Sequence, residues 1–302
     1  MATRTHLTSL ALACFVGVAA AHAQEGPKIF ISVDMEGIGG IGTGRMTSAG
    51  GKDYALGREL MTEEVNTVVA AILNYVAADP NNDPAEIVVN DSHGDMQNLL
   101  HTRLDRRVTY IQGNLKPLGM VQGLDASFDA AIFLGYHARA GTEGGFLAHT
   151  GSGAVKGLWL DGTEVGEGGL NAYYAGSHGV PIILAAGDQT FTEQFAALVP
   201  TRTVATKRAI GSSVAQLLHP DVVRTRLRDA TRAALDDLAG AMPLDTGGPV
   251  TLRMRSASTT RADILQAIPD MRRVDGTTVE YDARDMTEAY ALIRLMYRYV
   301  SW

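Results

Sequence analysis

Cysteine is almost absent from this sequence of 302 residues, in which Cys14 is the only one. If residues 1–23 are removed, as argued below, the remaining chain can form no disulfide bond and no thiolate metal site. A compact His-Glu-x-x-His motif is also missing, so two histidines on one helix turn cannot provide a zinc site. Any metal site must therefore use histidine and carboxylate side chains scattered along the chain.

The chain has fewer positively charged residues than negatively charged ones, with 26 Lys and Arg against 33 Asp and Glu. The formal net charge is −7. Residues 1–23 contain Arg4 as their only Lys, Arg, Asp or Glu, so removing them takes the net charge from −7 to −8. An acidic chain binds nucleic acid and anionic lipid poorly. We therefore predict neither a nucleic-acid partner nor a membrane partner.

The apolar run near the N-terminus, from Leu10 to Ala21, is shorter than the roughly 20 residues that a spanning helix needs. Arg4 before the run and Ala21-His-Ala23 after it are typical of a secretory signal peptide and its cleavage site. We predict that residues 1–23 are a signal peptide and that the protein is exported to the periplasm. The alternatives are a membrane anchor, or lipoprotein processing at Cys14, for which the preceding apolar core is short.

Short apolar runs alternate with longer helical patterns along the chain, which is typical of βαβ units and a largely parallel sheet. With 46% hydrophobic residues and 33 glycines, the composition suits one large α/β domain or a domain with an appendage. We predict a three-layer α/β/α fold with a largely parallel, mixed sheet. The predicted strands are Lys28–Val33, Glu86–Asn90, Ala130–Gly135 and Pro181–Ala186, and Tyr54–Ala78 is a predicted crossover helix.

The character of the sequence changes near residue 200, where Arg- and Ala-rich helices begin. Before this point, Asp161-Gly162 between two short apolar runs predicts a hairpin. We predict an α/β metal-binding catalytic domain over residues 24–200 and a smaller C-terminal α+β region over residues 201–302. The predicted elements of that region are helices at Val222–Ala239 and Met286–Tyr299 and strands near Val250–Arg255 and Val279–Tyr281.

Polar side chains that follow the predicted strands are the first candidates for a site, because ligands of parallel sheets bind at the carboxyl ends of the strands. Asp34 and Glu36 follow the first strand, and extended chain would place both on one side. His93 follows the second strand, His137 the third, and Glu167 begins a helix. Each alone suits a cap, a loop or a structural histidine. Together they suit a two-metal site, with Asp34 as the best bridging candidate.

Several long segments closely resemble, in order, the motifs of the D-aminopeptidase family (peptidase family M55), which is typified by a bacterial dipeptide-operon protein. The segments are "SVDMEGIGG", "YALGRELMTEE", "VNDSHGDMQNL", "FLGYHARAGT" and "VGEGGLNAYYAG", and the likeness covers nearly all of the chain after the predicted signal. The resemblance implies a zinc-dependent peptidase that removes N-terminal D-amino acids from short peptides. It places the ligands of two Zn²⁺ ions per subunit at Asp34, Glu36, His93, His137 and Glu167.

The resemblance also implies a catalytic histidine, which falls on His149 in "FLAHTGSG". The family's serine-histidine-serine pattern is matched here only at the histidine, which leaves the substrate contacts open. On the same grounds Asn171 and Lys116 are plausible pocket residues, while Asp91 either orients His93 or caps the turn. Members of the family assemble into a decamer of stacked pentamer rings, so the resemblance implies a homodecamer.

The predicted activity is release of D-alanine-type residues from short D-amino-acid-containing peptides by a water molecule activated between two metal ions. The alternatives are a two-metal hydrolase of a phosphoester or an L-peptide, and a non-catalytic periplasmic peptide-binding protein. Two-metal phosphoesterases usually carry Asp-x-His on the first strand and a later Asn-His pair. This chain has Asp34-Met-Glu36 and no Asn-His. A binding protein would have no need of five filled ligand positions.

Overall fold

The computed structural model describes residues 25–301, so the predicted signal peptide and Cys14 lie outside the described residues. This range contains twelve strands and six α-helices. The strands are β1 (Lys28–Val33), β2 (Glu86–Asp91), β3 (Thr109–Ile111), β4 (Ala130–Tyr136), β5 (Val155–Leu160), β6 (Thr163–Glu164), β7 (Ile182–Asp188), β8 (Arg202–Gly211), β9 (Val214–Leu217), β10 (Val250–Ser256), β11 (Arg272–Arg273) and β12 (Thr278–Ala283). The helices are α1 (Tyr54–Val76), α2 (Glu167–Ser177), α3 (Gln189–Leu198), α4 (Pro220–Asp236), α5 (Thr259–Leu265) and α6 (Met286–Val300).

The larger sheet has the strand order β3-β2-β1-β4-β7-β8-β9, and every pair is parallel except β8–β9. The chain moves from β1 outward through β2 to β3, then crosses to the other side of β1 to form β4. Strand order therefore reverses between β1 and β4. Such a switch point opens a crevice at the carboxyl ends of the two strands, and the candidate residues after β1 and β4 lie there.

Both faces of this sheet are covered, which explains why β1 is almost wholly buried. Ile29, Ile31 and Val33 pack in one core with residues of α1 and α4. Phe30 points to the opposite face and packs in a second core with residues of α2, α3 and α6. Because side chains alternate along a strand, the pattern of β1 places Asp34 on the same side as Phe30. The site therefore faces the layer of α2 and α6.

A smaller antiparallel sheet has the order β11-β12-β10-β5-β6, and its β5–β6 hairpin turns at Asp161-Gly162 as predicted. The predicted α/β class, with helices on both sides of a mostly parallel sheet, is confirmed. Strands on both sides of residue 200 contribute to each sheet. β5 and β6, which precede it, join the smaller sheet, while β8 and β9, which follow it, complete the larger one. A division into domains at that point stays a prediction. Within residues 25–301, the helices are too short or too polar to cross a membrane.

The turn after β1 depends on the small size of Gly37. Its N–H donates to the Gly135 carbonyl at 2.7 Å, and a Cβ at this position would lie 2.0 Å from the Tyr136 carbonyl oxygen. Gly37→Ala is therefore expected to force the turn away from β4 and to lower the free energy of unfolding by about 3 kcal/mol. Thermal unfolding followed by circular dichroism measures this change. Gly211→Ala is the control, because among residues 25–301 no heavy atom beyond Gly211 and its two chain neighbours lies within 4 Å of its Cβ position, and an equal loss there would contradict the argument.

Candidate metal centre

The end of β1 holds Asp34 in a fixed position. Its backbone N–H donates to the Leu134 carbonyl at 2.8 Å, which continues the pairing of β1 with β4 beyond the strand. The N–H of Met35 donates to Asp34 Oδ1 at 2.9 Å. Asp34 is 2% exposed, and its position is set by backbone on both sides of the switch point.

Asp34 lies between two imidazole rings. Its Oδ1 atom is 3.1 Å from His93 Nδ1, and its Oδ2 atom is 3.4 Å from His137 Nε2. His93 comes from the loop after β2 and His137 from the end of β4, so the three side chains belong to three adjacent strands. This is the position that a bridging carboxylate requires.

Two further carboxylates complete the cluster, one on each side of Asp34. Glu36 Oε2 lies 2.9 Å from His93 Nδ1, and Glu167 Oε2 lies 3.5 Å from His137 Nε2. The five predicted ligands thus form two groups of three that share Asp34. Their assignment as ligands remains a prediction, and the structure brings all five together.

The backbone orients both rings. His93 Nε2 lies 2.7 Å from the Thr47 carbonyl oxygen, and His137 Nδ1 lies 3.0 Å from the Ala138 carbonyl oxygen. A histidine ligand ordinarily donates its second nitrogen to an acceptor of this kind, which sets the tautomer and the direction of the ring. The nitrogens left for a metal are therefore His93 Nδ1 and His137 Nε2.

The donor atoms fit a divalent metal ion. Asp34 Oδ2 and His137 Nε2 are buried and have no hydrogen-bond partner among residues 25–301. Unpaired polar atoms are costly to bury, so two of them in one cluster point to a missing partner. Donor atoms of Asp34, Glu36 and His137 all lie within 4.8 Å of one another. Imidazole nitrogen and carboxylate oxygen are ligands that zinc accepts.

The ionisation of the cluster also favours positive charge at its centre. Burial, followed by the neighbouring charge of Glu36, raises the pKa of Asp34 to about 7. Burial acts to lower the pKa of His93, but the charge of Glu36 and hydrogen bonds to Asp34 and Glu36 outweigh it and hold that pKa well above its usual range. Carboxylates crowded in a dry site are stabilised by a cation among them.

His149 lies beside this cluster on the loop before β5. Its ring stacks on His137 with centroids 4.1 Å apart, and its Nε2 atom is 3.6 Å from Glu167 Oε1. Nδ1 lies 2.9 Å from the Leu147 carbonyl oxygen, which leaves Nε2 as the atom that faces the site. Donor atoms of His137, His149 and Glu167 also lie within 4.8 Å of one another, so His149 has the geometry for either a metal ligand or a proton carrier.

Asp91 stabilises the turn after β2 rather than orienting the His93 ring. Its carboxylate accepts hydrogen bonds from the backbone N–H groups of Asn98 and Leu99 and from Asn98 Nδ2. Asn98 Nδ2 also donates to the His93 carbonyl at 2.7 Å. Asp91 therefore closes the turn that carries His93, which was the second of the two predicted possibilities.

A buried hydrogen-bond chain beneath the cluster includes residues that sequence reasoning missed. The Tyr136 hydroxyl lies 2.6 Å from Ser32 Oγ and accepts from Asn171 Nδ2 at 2.9 Å. Tyr290 donates its hydroxyl to Asn171 Oδ1 at 2.6 Å. Because Asn171 is one helical turn after Glu167 on α2, this chain connects β1, β4, α2 and α6 under the site. The predicted pocket residue Asn171 thus supports the site from below.

Lys207 on β8 is another buried residue that the sequence did not reveal. Its Nζ donates to the carbonyls of Glu36 at 2.5 Å and Ile41 at 2.7 Å, and it lies 4.9 Å from the centre of the Phe146 ring. Lys207 therefore connects the turn containing Glu36 to strand β8. Lys116, which was a plausible pocket residue, makes a similar pair of bonds to Asn90 Oδ1 and the Asp91 carbonyl.

Burial lowers the pKa of Lys207 from 10.5 to about 7, which predicts a pH dependence. Between these values the unfolded chain holds a proton that the folded chain has released, so stability rises with pH from about 7 to about 10. The contribution is at most about 1.4 kcal/mol per pH unit. Denaturant titrations at several pH values should show Lys207→Met losing this slope relative to the unchanged protein. Lys156→Met, at an exposed lysine, is the control, and a slope retained in Lys207→Met would contradict the prediction.

A cavity of about 120 Å³ at the carboxyl edge of the sheet is lined by Asp34, His93, His149 and Glu167. A parallel α/β sheet with this donor set at its switch point defines a metal-binding enzyme of the hydrolase class. More specifically, the chain belongs to the D-aminopeptidase family, whose model matches residues 28–295. The family and the enzyme class predicted from the sequence motifs are thereby confirmed.

The likeness to known proteins extends over most of the chain in both sequence and structure. A D-aminopeptidase of Bacillus subtilis (strain 168) is 36% identical over 271 residues, which are 89% of this chain and 96% of the relative. The solved structure of a zinc-dependent D-aminopeptidase from Bacillus subtilis, DppA, described as a self-compartmentalizing protease, superposes with a TM-score of 0.86 at 36% identity. That superposition covers 90% of this chain and 97% of the other.

Proposed function

We propose that this protein is a zinc-dependent aminopeptidase that releases N-terminal D-amino acids of the D-alanine type from short peptides. The observation that carries the proposal is the position of Asp34 between the metal-facing nitrogens of His93 and His137. Glu36 and Glu167 flank this pair on opposite sides. The relatedness to D-aminopeptidases supplies the substrate class.

Asp34, Glu36 and His93 would hold one zinc ion, and Asp34, His137 and Glu167 the other. Two such ions, when bound, lower the pKa of a water molecule and polarise the carbonyl group of the scissile bond. The backbone of the chain keeps these ligands rigid, because each sits at or next to a strand end or the start of α2. A rigid scaffold holds a metal site more accurately than a mobile loop does.

His149 acts as the proton donor in this mechanism. Nδ1 faces the Leu147 carbonyl, so Nε2 exchanges the proton, and it points into the cavity beside Glu167. From there it can donate to the amine that leaves when the peptide bond breaks. The cavity, at about 120 Å³, is smaller than the roughly 300–1,000 Å³ of pockets for drug-sized ligands. It suits a small terminal residue such as D-alanine.

Export and assembly form the second part of the proposal. Residues 1–23 would direct the chain to the periplasm and be removed, and peptidoglycan fragments there would supply D-alanine peptides. The Bacillus subtilis relative is described as self-compartmentalizing, which supports a homo-oligomer, and we propose a homodecamer for this chain. Cell fractionation and light scattering on the mature protein test these two points separately.

The activity is tested by incubating the zinc-loaded protein with D-Ala-D-Ala or L-Ala-L-Ala, with and without a chelator, and measuring released alanine. We expect chelator-sensitive release from the D-peptide and little from the L-peptide. Release from the L-peptide alone would reverse the proposed stereochemistry. Hydrolysis of p-nitrophenyl phosphate with no release from either peptide would favour the phosphoesterase alternative, and no hydrolysis at all would favour a binding protein.

A further inference from the structure

The C-terminal helix α6 presents one face to the cavity of the metal centre. Tyr290, Arg294 and Tyr297 are spaced four and then three residues apart, which places them on the same side of a helix. All three line the same cavity as Asp34 and Glu167. The wall opposite the strand ends is therefore made of side chains from the last helix of the chain.

This face of α6 is held firmly against α2 and the loop that follows His149. The Tyr290 hydroxyl donates to Asn171 Oδ1 at 2.6 Å. The ring of Tyr297 lies against Gly151, where an added Cβ would approach a ring carbon to 2.3 Å. The N–H of Gly151 in turn donates to Glu167 Oε1 at 2.6 Å. Packing thus fixes Arg294, which lies between the two tyrosines, relative to the metal centre.

Arg294 shares an acidic cavity but does not pair with its carboxylates. Its Nε atom is buried and has no hydrogen-bond partner among residues 25–301, while Asp34 and Glu167 approach imidazoles instead. The guanidinium lies against Gly119, where a Cβ would come within 2.6 Å of its Cζ and Nε atoms. The absence of a side chain at Gly119 leaves room for this planar group. A guanidinium that lines a cavity and pairs with none of its carboxylates is suited to bind the anionic group of a ligand.

We infer that Arg294 binds the free carboxylate of a dipeptide substrate and so makes dipeptides the preferred substrates of this chain. The inference rests on the proposed aminopeptidase function and deepens it. In a dipeptide, only the amide nitrogen and one α-carbon separate the scissile carbonyl from the terminal carboxylate, so a cavity of about 120 Å³ brings both groups within its walls. Tyr297 supplies a second donor, because its hydroxyl is also buried without a partner in the described range.

The test compares D-Ala-D-Ala with its C-terminal amide, which has the same scissile bond but no carboxylate. The unchanged protein should prefer the acid by roughly 100-fold in kcat/KM, and Arg294→Met should lose this preference, mainly through KM. Activity on the amide should fall much less than activity on the acid, since the uncharged amide forms no ion pair with Arg294. Tyr297→Phe should lower the preference by about fivefold, as expected for one hydrogen bond to a charged group.

Arg298→Met is the matched control, because Arg298 lies one turn further along α6, is exposed and contacts Asn114. It should keep the full preference for the acid, and all variants should bind the same amount of zinc. Arg294→Lys should keep part of the preference, since its ammonium retains the charge. If Arg294→Met loses activity equally on acid and amide, or if the unchanged protein does not discriminate between them, the inference is wrong. If the unchanged protein hydrolyses neither peptide, the proposed function itself fails, and the inference fails with it.

Discussion

Asp34→Asn is expected to lower kcat/KM for D-Ala-D-Ala by roughly 10³-fold or more, the equivalent of the several kcal/mol that a bound metal contributes to a transition state. The substitution replaces a carboxylate by an amide of the same size. Asp34 is placed to reach both imidazoles, since Oδ1 approaches His93 and Oδ2 approaches His137. Losing the shared carboxylate should therefore weaken both proposed zinc ions together, whereas Glu36→Gln or Glu167→Gln should weaken one.

Zinc per chain, measured by metal analysis after dialysis, is the direct readout of this prediction. The variant should stay folded, because the buried carboxylate has a pKa of about 7 and the neutral amide costs less to bury than a carboxylate. Asp95→Asn is the control, since Asp95 is an exposed carboxylate two residues after His93. Two zinc ions retained in folded Asp34→Asn, with activity unimpaired, would show that Asp34 does not bridge.

The positions of the five predicted ligands could be inferred from sequence because each follows an element with a strong local pattern. The apolar run of β1 ends at Val33, where the strand itself ends, so Asp34 had to lie at the edge of the sheet. Parallel strands then bring the residues after β1, β2 and β4 to one edge. No exact register was needed for this prediction, because adjacent parallel strands align their carboxyl ends.

Residues that reach the site from distant elements could not be inferred in this way. Lys207 is buried on β8, where the burial pattern does not follow a simple alternation, and its two acceptors precede it by more than 160 residues. Arg294 lies on an ordinary amphipathic helix, whose contact with α2 depends on tertiary packing. The change in composition near residue 200 could not show which sheet the following strands join. β8 continues the parallel sheet beside β7, although its sequence differs in character from the earlier strands.

His149→Ala is expected to lower kcat for D-Ala-D-Ala by roughly 10²–10⁴-fold, the usual contribution of a general acid or base, while zinc content stays at that of the unchanged protein. The physical reason is the position of Nε2, which lies 3.6 Å from Glu167 Oε1 at the side of the cluster. The side chain is 30% exposed, in contrast to 1% for His137. A partly exposed imidazole can exchange its proton with solvent between turnovers, and a small added base such as imidazole should restore part of the activity.

The competing role for His149 makes metal analysis decisive. His137, His149 and Glu167 could hold an ion as a group, and in that case His149→Ala would lose zinc together with activity. His101→Ala is the matched control, because that ring is exposed and stacks on Tyr110, with centroids 6.1 Å apart. Loss of one zinc ion in His149→Ala would make His149 a ligand and leave the leaving amine to be protonated by another group. Full zinc with a low kcat would instead separate the metal-holding residues from the proton-carrying one, as the two sides of Glu167 suggest: Oε2 faces His137 and Oε1 faces His149.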